Sequence, residues 1–496
     1  MYPSLEEAKE LAKRYNRIPL YRELNLAGLT MPSLLKALCA KKDVLFLESA
    51  REDRAWSRFS FLGINPRRVV SFSRAGLVEN GPDGPVKVRA DFFDYLEDET
   101  GRFCSPTFEE YGSFNGGLVG FFSYELVNHC GILRGPVPED PGTPLAMLAQ
   151  IEDFIVYDNV LDRYSVSTPL YADGPGSIDD RYDDAAAYLE KLEANILYLV
   201  DSASMPYLPA RPDEVRLAHR CGREEYMAMV EEAKEQIAAG EIIQAVVSAR
   251  SDIVDPVDPF RFYLKLRSLN PSPYMFFLKF NDLHVVGSSP EIHVKVEGRR
   301  AVLRPIAGTS PKGTTPGENE SLKAALLADP KERAEHLMLV DLARNDLGRV
   351  AAPGTVKVES FMLPEDYSHV IHLVSVVTAE LSPEKSRVDV LKESFPAGTV
   401  TGAPKVRAIE IISGLEPHPR GIYAGAVGYL GYNGVMDTCI AIRTAVFNGR
   451  ERYLQAGAGI VYDSVPEKEF EETRNKLRAL SLSLGYAAIK EEAPCF

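Results

Sequence analysis

Short apolar runs separated by glycine-bearing turns occupy much of the second half of this 496-residue sequence. Strands are predicted at these runs, which span residues 242–247, 284–286, 292–296, 425–430 and 439–446. A helix is predicted at residues 226–237, where apolar residues recur every three or four positions, and further helices are predicted at residues 330–341, 403–414 and 466–484. Short strands joined by tight turns pair antiparallel, and the few long helices must cover a face of the sheets. The pattern therefore predicts an α+β fold of mainly antiparallel sheet backed by helices.

The first half of the chain contains further β-like runs, at residues 44–47 and 153–157. The stretch 171–212 begins and ends with Gly, Pro, Ser and Asp and carries a polar helix-like segment. Such a composition is typical of a connection between larger units. We therefore predict an N-terminal region of residues 1–205 and a C-terminal region of residues 206–496.

Charge and composition exclude several classes of protein. The 56 Lys and Arg residues are outnumbered by 71 Asp and Glu residues, and the formal net charge of −15 disfavours nucleic-acid binding. A small anionic substrate would need a local cluster of cations or a metal. No apolar run approaches the roughly 20 residues that a membrane helix needs, and the first residues lack the order of a signal peptide. The six cysteines are scattered without metal-ligand spacing, which fits a reducing cytoplasm.

Two closely spaced glutamates follow a predicted helix start. Asp329 is a good N-cap, Pro330 suits the first helical position, and Glu332 falls where a capping-box carboxylate belongs. Glu335 lies one turn further on and shares a helix face with Glu332. Two acids this close repel each other unless something positive lies between them, and helix formation alone does not require Glu335.

A second pair of acids, Glu469 and Glu472, occurs near the start of the last predicted helix. One interpretation is a solvated helix in which Glu472 pairs with Lys468 or Lys476, worth a few tenths of a kcal/mol. The other is that the two helices face each other and their carboxylates hold a divalent cation. Magnesium suits such a site, because it binds carboxylate oxygens and keeps water and anionic substrate groups as further ligands.

Three further features favour a ligand site. Gly308 and Thr309 follow an expected strand end, and residues 457–459 form a Gly-Ala-Gly run where a ligand could approach the backbone closely. Either could be an ordinary turn. Arg443 is more informative, because it lies within an apolar run where an unpaired charge is costly. It should face a carboxylate, either of the protein or of a ligand.

Longer motifs identify a family. Met338–Leu347 reads MLVDLARNDL, and Pro396–Lys405 reads PAGTVTGAPK. Together with the Gly-Ala-Gly run and the glutamate-rich last helix, these motifs resemble those of the chorismate-utilising enzymes, and the resemblance covers about residues 215–485. It implies two packed subdomains of mainly antiparallel sheet with helices outside, and an active site in the cleft between them. It also makes residues 206–496 the chorismate-binding catalytic region.

The resemblance implies binding roles for individual residues. Glu335 and Glu472 match magnesium ligands, supported by Glu332 and Glu469. The residues that match substrate contacts are Gly308, Thr309, Tyr423, Arg443, Gly457, Ala458, Gly459 and Lys476.

Three residues match catalytic positions of the family. Glu291 corresponds to the general acid that protonates a leaving hydroxyl, which requires a raised pKa. His372 corresponds to a histidine linked to the elimination of pyruvate, whereas His369 can be purely structural. Gln244 stands where family members that add water to chorismate carry a lysine base. Because ammonia brings its own lone pair, Gln244 favours an amine product.

Ala307 narrows the choice of product further. Family members that form aminodeoxychorismate typically carry a nucleophilic lysine here, and alanine cannot form a covalent bond. The resemblance therefore implies conversion of chorismate and ammonia to anthranilate and pyruvate, the first committed step of tryptophan biosynthesis. The alternatives are an aminodeoxychorismate-forming subunit of folate biosynthesis and a non-catalytic regulator that binds chorismate or tryptophan.

The resemblance also implies two partners. Ser49 and the segment Pro273, Tyr274 and Met275 match the two halves of the family's site for feedback inhibition by L-tryptophan. Without the resemblance, Ser49 would be interpreted as a strand end and the segment from Pro273 as a turn. Ammonia would come from a separate glutamine amidotransferase subunit, because none of the six cysteines has the tight glycine-rich setting of a glutaminase nucleophile.

Overall fold

The computed structural model describes residues 1–26, 29–39, 43–50, 58–201, 215–367, 370–449, 451–484 and 491–492. Its α-helices are α1 (Leu5–Leu11), α2 (Met31–Cys39), α3 (Phe92–Gly101), α4 (Ile178–Asp201), α5 (Arg223–Ala238), α6 (Pro259–Leu269), α7 (Pro316–Ala328), α8 (Pro330–Gly348), α9 (Arg387–Ser394), α10 (Lys405–Leu415) and α11 (Pro466–Ser483). The strands before residue 254 are β1 (Arg17–Leu24), β2 (Val44–Glu48), β3 (Phe59–Ile64), β4 (Arg68–Ser73), β5 (Gly76–Gly81), β6 (Gly84–Val88), β7 (Gly117–Phe122), β8 (Ala146–Ile151), β9 (Asp153–Asp158), β10 (Arg163–Tyr171), β11 (Leu217–His219) and β12 (Gln244–Ile253). The later strands are β13 (Tyr274–Phe280), β14 (Leu283–Ser289), β15 (Ile292–Glu297), β16 (Arg300–Leu303), β17 (Ile306–Pro311), β18 (Lys357–Asp366), β19 (Val370–Glu380), β20 (Gly402–Ala403), β21 (Ala426–Gly431), β22 (Met436–Ile440), β23 (Thr444–Asn448), β24 (Glu451–Ile460) and β25 (Glu491–Glu492).

Two large sheets make up the fold. In the first, neighbouring strands follow the order β1-β10-β9-β3-β2-β13-β14-β23-β24-β12-β11-β25, and β20 pairs with β12. In the second, the order is β17-β19-β16-β15-β22-β21-β7-β8-β4-β5-β6, and β18 pairs with β19. Among these strands only β11 and β25 pair parallel. The predicted α+β class with mainly antiparallel sheets is confirmed. Each sheet takes strands from both sides of residue 205, and the division into two regions there stays a prediction.

The inner faces of the two sheets pack on each other, and the helices lie outside. Along β13, Phe276 and Leu278 join a buried cluster with Phe121 of the second sheet. The alternate residue Phe277 instead packs in a cluster with α2, α4 and α6. A third cluster joins the second sheet to α3, α8, α9 and α10. This layering follows from strand alternation, which sends successive side chains to opposite faces. The described helices include none long and apolar enough to cross a lipid bilayer.

The start of α8 was predictable in detail. Asp329 caps the helix by accepting hydrogen bonds from the backbone N–H groups of Lys331 at 2.8 Å and Glu332 at 3.2 Å. The helix runs on to Gly348, past the predicted end at residue 341, because Leu347 continues its buried face.

Two local predictions are wrong. The strand predicted at 439–446 is broken into β22 and β23, because Arg443 has a φ of 49° in the left-handed region, which cannot continue a strand. The interpretation of Gly308 and of residues 457–459 as turns is also wrong, because they lie inside β17 and β24.

Candidate active site

Helices α8 and α11 bring the two pairs of glutamates together. α8 packs on β17 and β19 of the second sheet, whereas α11 packs on β24 of the first. Burial raises the pKa of Glu335, and the carboxylates of Glu332 and Glu472 raise it further. Burial, and to a smaller degree Glu472, also raises the pKa of Glu469. Four carboxylates therefore share one region between the two sheets.

Protein partners contact three of these carboxylates, and a side-chain hydrogen bond with Ser464 is the contact of Glu469. Oε2 of Glu332 accepts a hydrogen bond from the backbone N–H of Thr309 at 3.1 Å, so the capping-box interpretation of Glu332 is wrong. Nζ of Lys476 lies 2.8 Å from Oε1 of Glu472, so the predicted helix-surface pair is present. These two side chains are 50% and 51% exposed, and such a pair contributes only a few tenths of a kcal/mol to stability.

The residues present fit a hard divalent cation in their chemistry. Carboxylate oxygens are the ligands that Mg²⁺ prefers. Beyond burial, Glu332 and Glu472 raise the pKa of Glu335, and Lys331 and Lys476 lower it. Over the part of the chain that the structure describes, no three His, Cys, Asp or Glu side chains lie close enough to hold a metal by themselves. A cation here would take further oxygen ligands from water or substrate.

A bulge in β17 sets Thr309 beside His372. Gly308 has a φ of 80° at this bulge, a conformation that favours glycine. Nδ1 of His372 lies 3.1 Å from the carbonyl oxygen of Gly308 and 3.1 Å from Oγ1 of Thr309. The ring of Tyr367 packs edge-on against the imidazole, with 4.9 Å between centroids. These contacts fix His372 next to the strand that binds Glu332.

Glu291 is buried between β14 and β15. The residue is 8% exposed, and burial raises the pKa of its carboxyl to about 8. The backbone N–H of Ile306 and the guanidinium of Arg443 lower this pKa without cancelling the effect of burial. The carboxyl is therefore protonated near neutral pH, which is the state that a general acid needs.

Arg443 lies at the break between β22 and β23. Burial lowers its pKa, while Tyr367 and Glu291 raise it. Nη1 donates a long hydrogen bond of 3.4 Å to Oδ1 of Asn270. Among the described residues, Arg443 forms no ion pair. The side-chain partner of its guanidinium is the amide of Asn270.

The Gly-Ala-Gly run of β24 lies between α11 and β12. Gly457 and Gly459 both pair with β12, and Nζ of Lys476 donates to the carbonyl oxygen of Gly457 at 2.8 Å. A Cβ atom on Gly459 would lie 2.5 Å from Nε2 of the buried Gln244. The amide of Gln244 would have to move to admit a side chain at residue 459, so the run is a site of close packing as well as a strand.

Tyr423 is buried on the α11 side of the site. Burial, and after it the neighbouring Tyr423, raises the pKa of Tyr226. The hydroxyl of Tyr226 hydrogen-bonds with Oγ1 of Thr473 at 2.7 Å, next to Glu472 on α11. Tyr423 therefore lies close to the helix that carries the second glutamate pair.

Contacts and electrostatic interactions thus connect the predicted catalytic, substrate and metal residues into one region that takes elements from both sheets. His369 lies outside the described residues. Sequence reasoning missed Tyr367 and Asn270, which contact His372 and Arg443. Neither has a local signal, because each reaches the site through the packing of distant strands.

A separate cavity of about 720 Å³ is lined by strands of both sheets. Its wall includes all four predicted tryptophan-site residues, which are Ser49, Pro273, Tyr274 and Met275. The hydroxyl of Tyr274 donates to Oδ1 of Asp437 at 2.8 Å. None of the candidate catalytic residues Glu291, His372 and Gln244 lines this cavity, and the pocket at Glu291 is much smaller, about 40 Å³.

The chain is similar to known enzymes over almost its whole length. Residues 48–481 match the family model described as chorismate binding enzyme. Anthranilate synthase component 1 of Aquifex aeolicus is 42% identical, with 99% of both chains covered. Anthranilate synthase component 1 of Pseudomonas aeruginosa is 41% identical, with 96% of this chain and 97% of the relative covered.

Solved structures share the fold. Anthranilate synthase component I from Streptococcus pneumoniae matches with a TM-score of 0.75 at 35% identity, covering 86% of this chain and 92% of that one. The menaquinone-specific isochorismate synthase from Escherichia coli matches with a TM-score of 0.69 at 20% identity, covering 97% and 98%, which shows likeness of fold alone. The extent of the family match and the identity to these relatives show that this chain belongs to the chorismate-binding enzymes.

Proposed function

We propose that this chain is the chorismate-using component of anthranilate synthase, which converts chorismate and ammonia into anthranilate, pyruvate and water. The observation that carries the proposal is a buried Glu291 beside Arg443, whose pKa burial raises to about 8, in a region that also holds four carboxylates. Relatives of that name, 41% and 42% identical over nearly the full length, support it.

Arg443 binds the enolpyruvyl carboxylate of chorismate in this proposal. The backbone of residues 457–459 lies on the same side, with Lys476 held against it by the Gly457 carbonyl. Gly308 and Thr309 contact the substrate from the second sheet. An anion is bound well by a guanidinium in a partly desolvated site, because charge-assisted hydrogen bonds are stronger there than in water.

The chemistry needs one acid at the leaving group. Ammonia attacks ring carbon 2, the ring double bonds shift, and the hydroxyl at carbon 4 takes the proton of Glu291 and leaves as water. Loss of the proton at carbon 2 and of pyruvate then gives the aromatic product. His372, held by Gly308 and Thr309, takes part in this elimination.

Glu335 and Glu472 hold Mg²⁺ in the proposal, supported by Glu332 and Glu469. The ion, when bound, supplies positive charge to the carboxylate on the substrate ring. The support is the oxygen donor set and the negative charge that raises the pKa of Glu335 beyond the effect of burial.

Replacing Glu335 by glutamine is expected to raise the Mg²⁺ concentration for half-maximal activity by roughly 10-fold or more, because a carboxylate ligand is lost. Calorimetric titration of Mg²⁺ gives the same comparison without turnover. Asp341→Asn is the matched control, since Asp341 is exposed on the same helix. Equal Mg²⁺ affinity in the two variants would contradict the proposed ligand set.

Gln244 and Ala307 support ammonia as the nucleophile and anthranilate as the product. Gln244 is buried against Gly459 and offers an amide rather than a base. Ala307 is buried in β17 and offers no nucleophile. Aminodeoxychorismate formation is therefore the second candidate, and release of pyruvate separates it from the first.

The cavity of about 720 Å³ is the proposed site of feedback inhibition by L-tryptophan. Its volume lies in the range of small-molecule sites. The support is that Ser49 and Pro273 to Met275, which come from distant parts of the chain, meet in its wall.

A separate glutamine amidotransferase subunit supplies ammonia in this proposal. A glutaminase nucleophile needs a cysteine with a lowered pKa. Burial instead raises the pKa of Cys130 and of Cys221 to about 12, and it raises that of Cys39 and of Cys439 as well. Cys495 lies outside the described residues.

The proposal is tested by incubating the purified chain with chorismate, Mg²⁺ and ammonium at mildly alkaline pH. Anthranilate fluorescence and pyruvate should both appear, tryptophan should suppress both, and glutamine should not replace ammonium unless the partner subunit is added. Consumption of chorismate without pyruvate would favour aminodeoxychorismate. No consumption would leave only a binding role.

A further inference from the structure

His336 is a fully buried residue of α8 and follows Glu335 directly in the sequence. Its Nδ1 lies 3.1 Å from the carbonyl oxygen of Ala307 on β17, and its Nε2 lies 2.7 Å from Oγ of Ser375 on β19. Oγ of Ser375 also accepts a hydrogen bond from the backbone N–H of Met362 on β18 at 2.9 Å. The imidazole therefore connects α8 to three strands of the second sheet.

The partners of His336 fix the direction of each hydrogen bond. A carbonyl oxygen can only accept, so Nδ1 carries the hydrogen and donates to Ala307. Burial lowers the pKa of His336, so the ring is neutral and Nε2 accepts from the hydroxyl of Ser375. The hydrogen bonds then run in one direction from Met362 through Ser375 and His336 to Ala307. This tautomer gives each of these polar groups a partner, as a buried site requires.

The two ends of this chain of hydrogen bonds lie at bulges of the sheet. β17 is bulged at Gly308, and β18 is bulged within residues 360–363, one on each side of β19. Met362 has a φ of 52° in the second bulge. A bulge interrupts the ladder of hydrogen bonds and redirects side chains. His336 fixes one backbone group at each bulge, directly at β17 and through Ser375 at β18.

α8 is attached to the bulge of β17 at two positions one helical turn apart. Oε2 of Glu332 accepts a hydrogen bond from the backbone N–H of Thr309 at 3.1 Å. His336 donates to Ala307, two residues earlier in the same strand. Residues four apart lie on the same face of a helix, and Glu335 lies between the two attachments. Together they fix the rotation of α8 and its position along β17 at Glu335.

We propose that His336 is a positioning residue that holds the Glu335 carboxylate near Glu472 by attaching α8 to the bulge of β17. The proposal rests on the proposed function, because it assigns Glu335 to a divalent cation. A side chain that orients a ligand from outside the metal site commonly changes metal affinity by 10-fold to 100-fold when it is removed. The hydrogen bond to Ala307 is the contact on which this role depends, whereas the hydroxyl of Ser375 orients the ring.

The test compares two variants that each keep one half of the contacts of the ring. Asparagine can place an amide N–H where Nδ1 of His336 lies, whereas the longer glutamine reaches the position of Nε2 beside Ser375. In calorimetric titration, His336→Asn should bind Mg²⁺ with a dissociation constant within about threefold of the wild type. His336→Gln should bind it roughly 10-fold or more weakly. His418→Asn, at an exposed position after α10, is the control and should match the wild type.

A merely structural role for His336 predicts a different pattern. Each variant loses one buried hydrogen bond, so a thermal melt should show both to be less stable than the wild type. If stability alone decided the affinity for Mg²⁺, the two variants would weaken it to the same degree. Equal Mg²⁺ affinity in His336→Asn and His336→Gln would therefore overturn the proposal.

If His336→Gln does not fold, the wild-type chain tests the same contact. Nuclear magnetic resonance of the chain labelled with nitrogen-15 in its eight histidines should show the proton of His336 on Nδ1. The signal is assigned by its loss in His336→Asn. A proton on Nε2 would overturn the role of His336. Failure of the proposed function gives another result, in which the variants keep the expected order of Mg²⁺ affinity but the wild-type chain forms no anthranilate.

Discussion

Glu291→Gln is expected to lower kcat for anthranilate formation by roughly 10³-fold, the scale of a lost general acid. Glutamine keeps the shape of a protonated glutamate but cannot release a proton to the hydroxyl at carbon 4. The pKa of the wild-type carboxyl is raised to about 8 by burial, so kcat should fall as the pH rises through that value. Steady-state rates at saturating chorismate and a fixed concentration of free ammonia measure both effects. Glu320→Gln, at an exposed position on α7, is the control.

The same variant should be more stable than the wild type at neutral and alkaline pH. Between the ordinary pKa of 4.5 and the raised pKa of about 8, the folded chain keeps a proton on Glu291 that the unfolded chain releases. The free energy of unfolding therefore decreases as pH rises through this window, by about 1.4 kcal/mol for each pH unit crossed. Glutamine carries no such proton, so urea unfolding should show a smaller decrease with pH in the variant. Identical pH slopes, or a retained kcat, would contradict the role given to Glu291.

Arg443→Met should raise the chorismate KM about 100-fold, because the proposed charge-assisted contact with a substrate carboxylate would be lost. The reduction in kcat should be smaller, since the proposed contact of Arg443 is with a carboxylate of the substrate and not with the leaving hydroxyl. Stability should change little, because methionine fills a similar volume and removes a guanidinium whose pKa burial has lowered. Steady-state kinetics with ammonium and a thermal melt give the three quantities.

Arg443→Lys is the matched control for charge. Lysine keeps a positive charge but loses the planar fork that binds a carboxylate with two hydrogen bonds. Its KM should lie between those of the wild type and Arg443→Met. A wild-type KM in Arg443→Met would show that the substrate carboxylate is bound elsewhere in the cleft.

The helices and most strands were predictable because their signals are local. Asp329 and Pro330 mark the start of α8 by capping chemistry, and apolar spacing marks α5 and α11. The break at Arg443 has no such signal, because hydrogen bonds to Ser288 and Asn270 support its left-handed backbone. Tertiary contacts of this kind override strand propensity.

The glycines of the site show why composition alone misled. Gly308 and the run 457–459 have the composition of turns. Gly308 lies in a strand that pairs with β19, and residues 457–459 lie in a strand that pairs with β12. Gln244 packs in the space that a side chain on Gly459 would occupy. A glycine in the sequence indicates that the backbone is free to adopt unusual conformations. It does not indicate which neighbouring side chain or strand will pack against it.

Sequence motifs identified the candidate site residues, but they did not predict which residues those side chains contact. Glu332 has the spacing of a capping carboxylate, yet it accepts its hydrogen bond from Thr309 on another element. Tyr367 and Asn270 reach His372 and Arg443 across strands and loops. Such pairings depend on the register of two sheets, which no single segment of sequence specifies.

The proposed amination can be followed by nuclear magnetic resonance, with the purified chain, chorismate and isotopically labelled ammonium. We expect the label to enter anthranilate, attached to ring carbon 2, and pyruvate to appear in equal amount. A labelled product with nitrogen at carbon 4 and no pyruvate, or an unlabelled hydroxylated product, would contradict it.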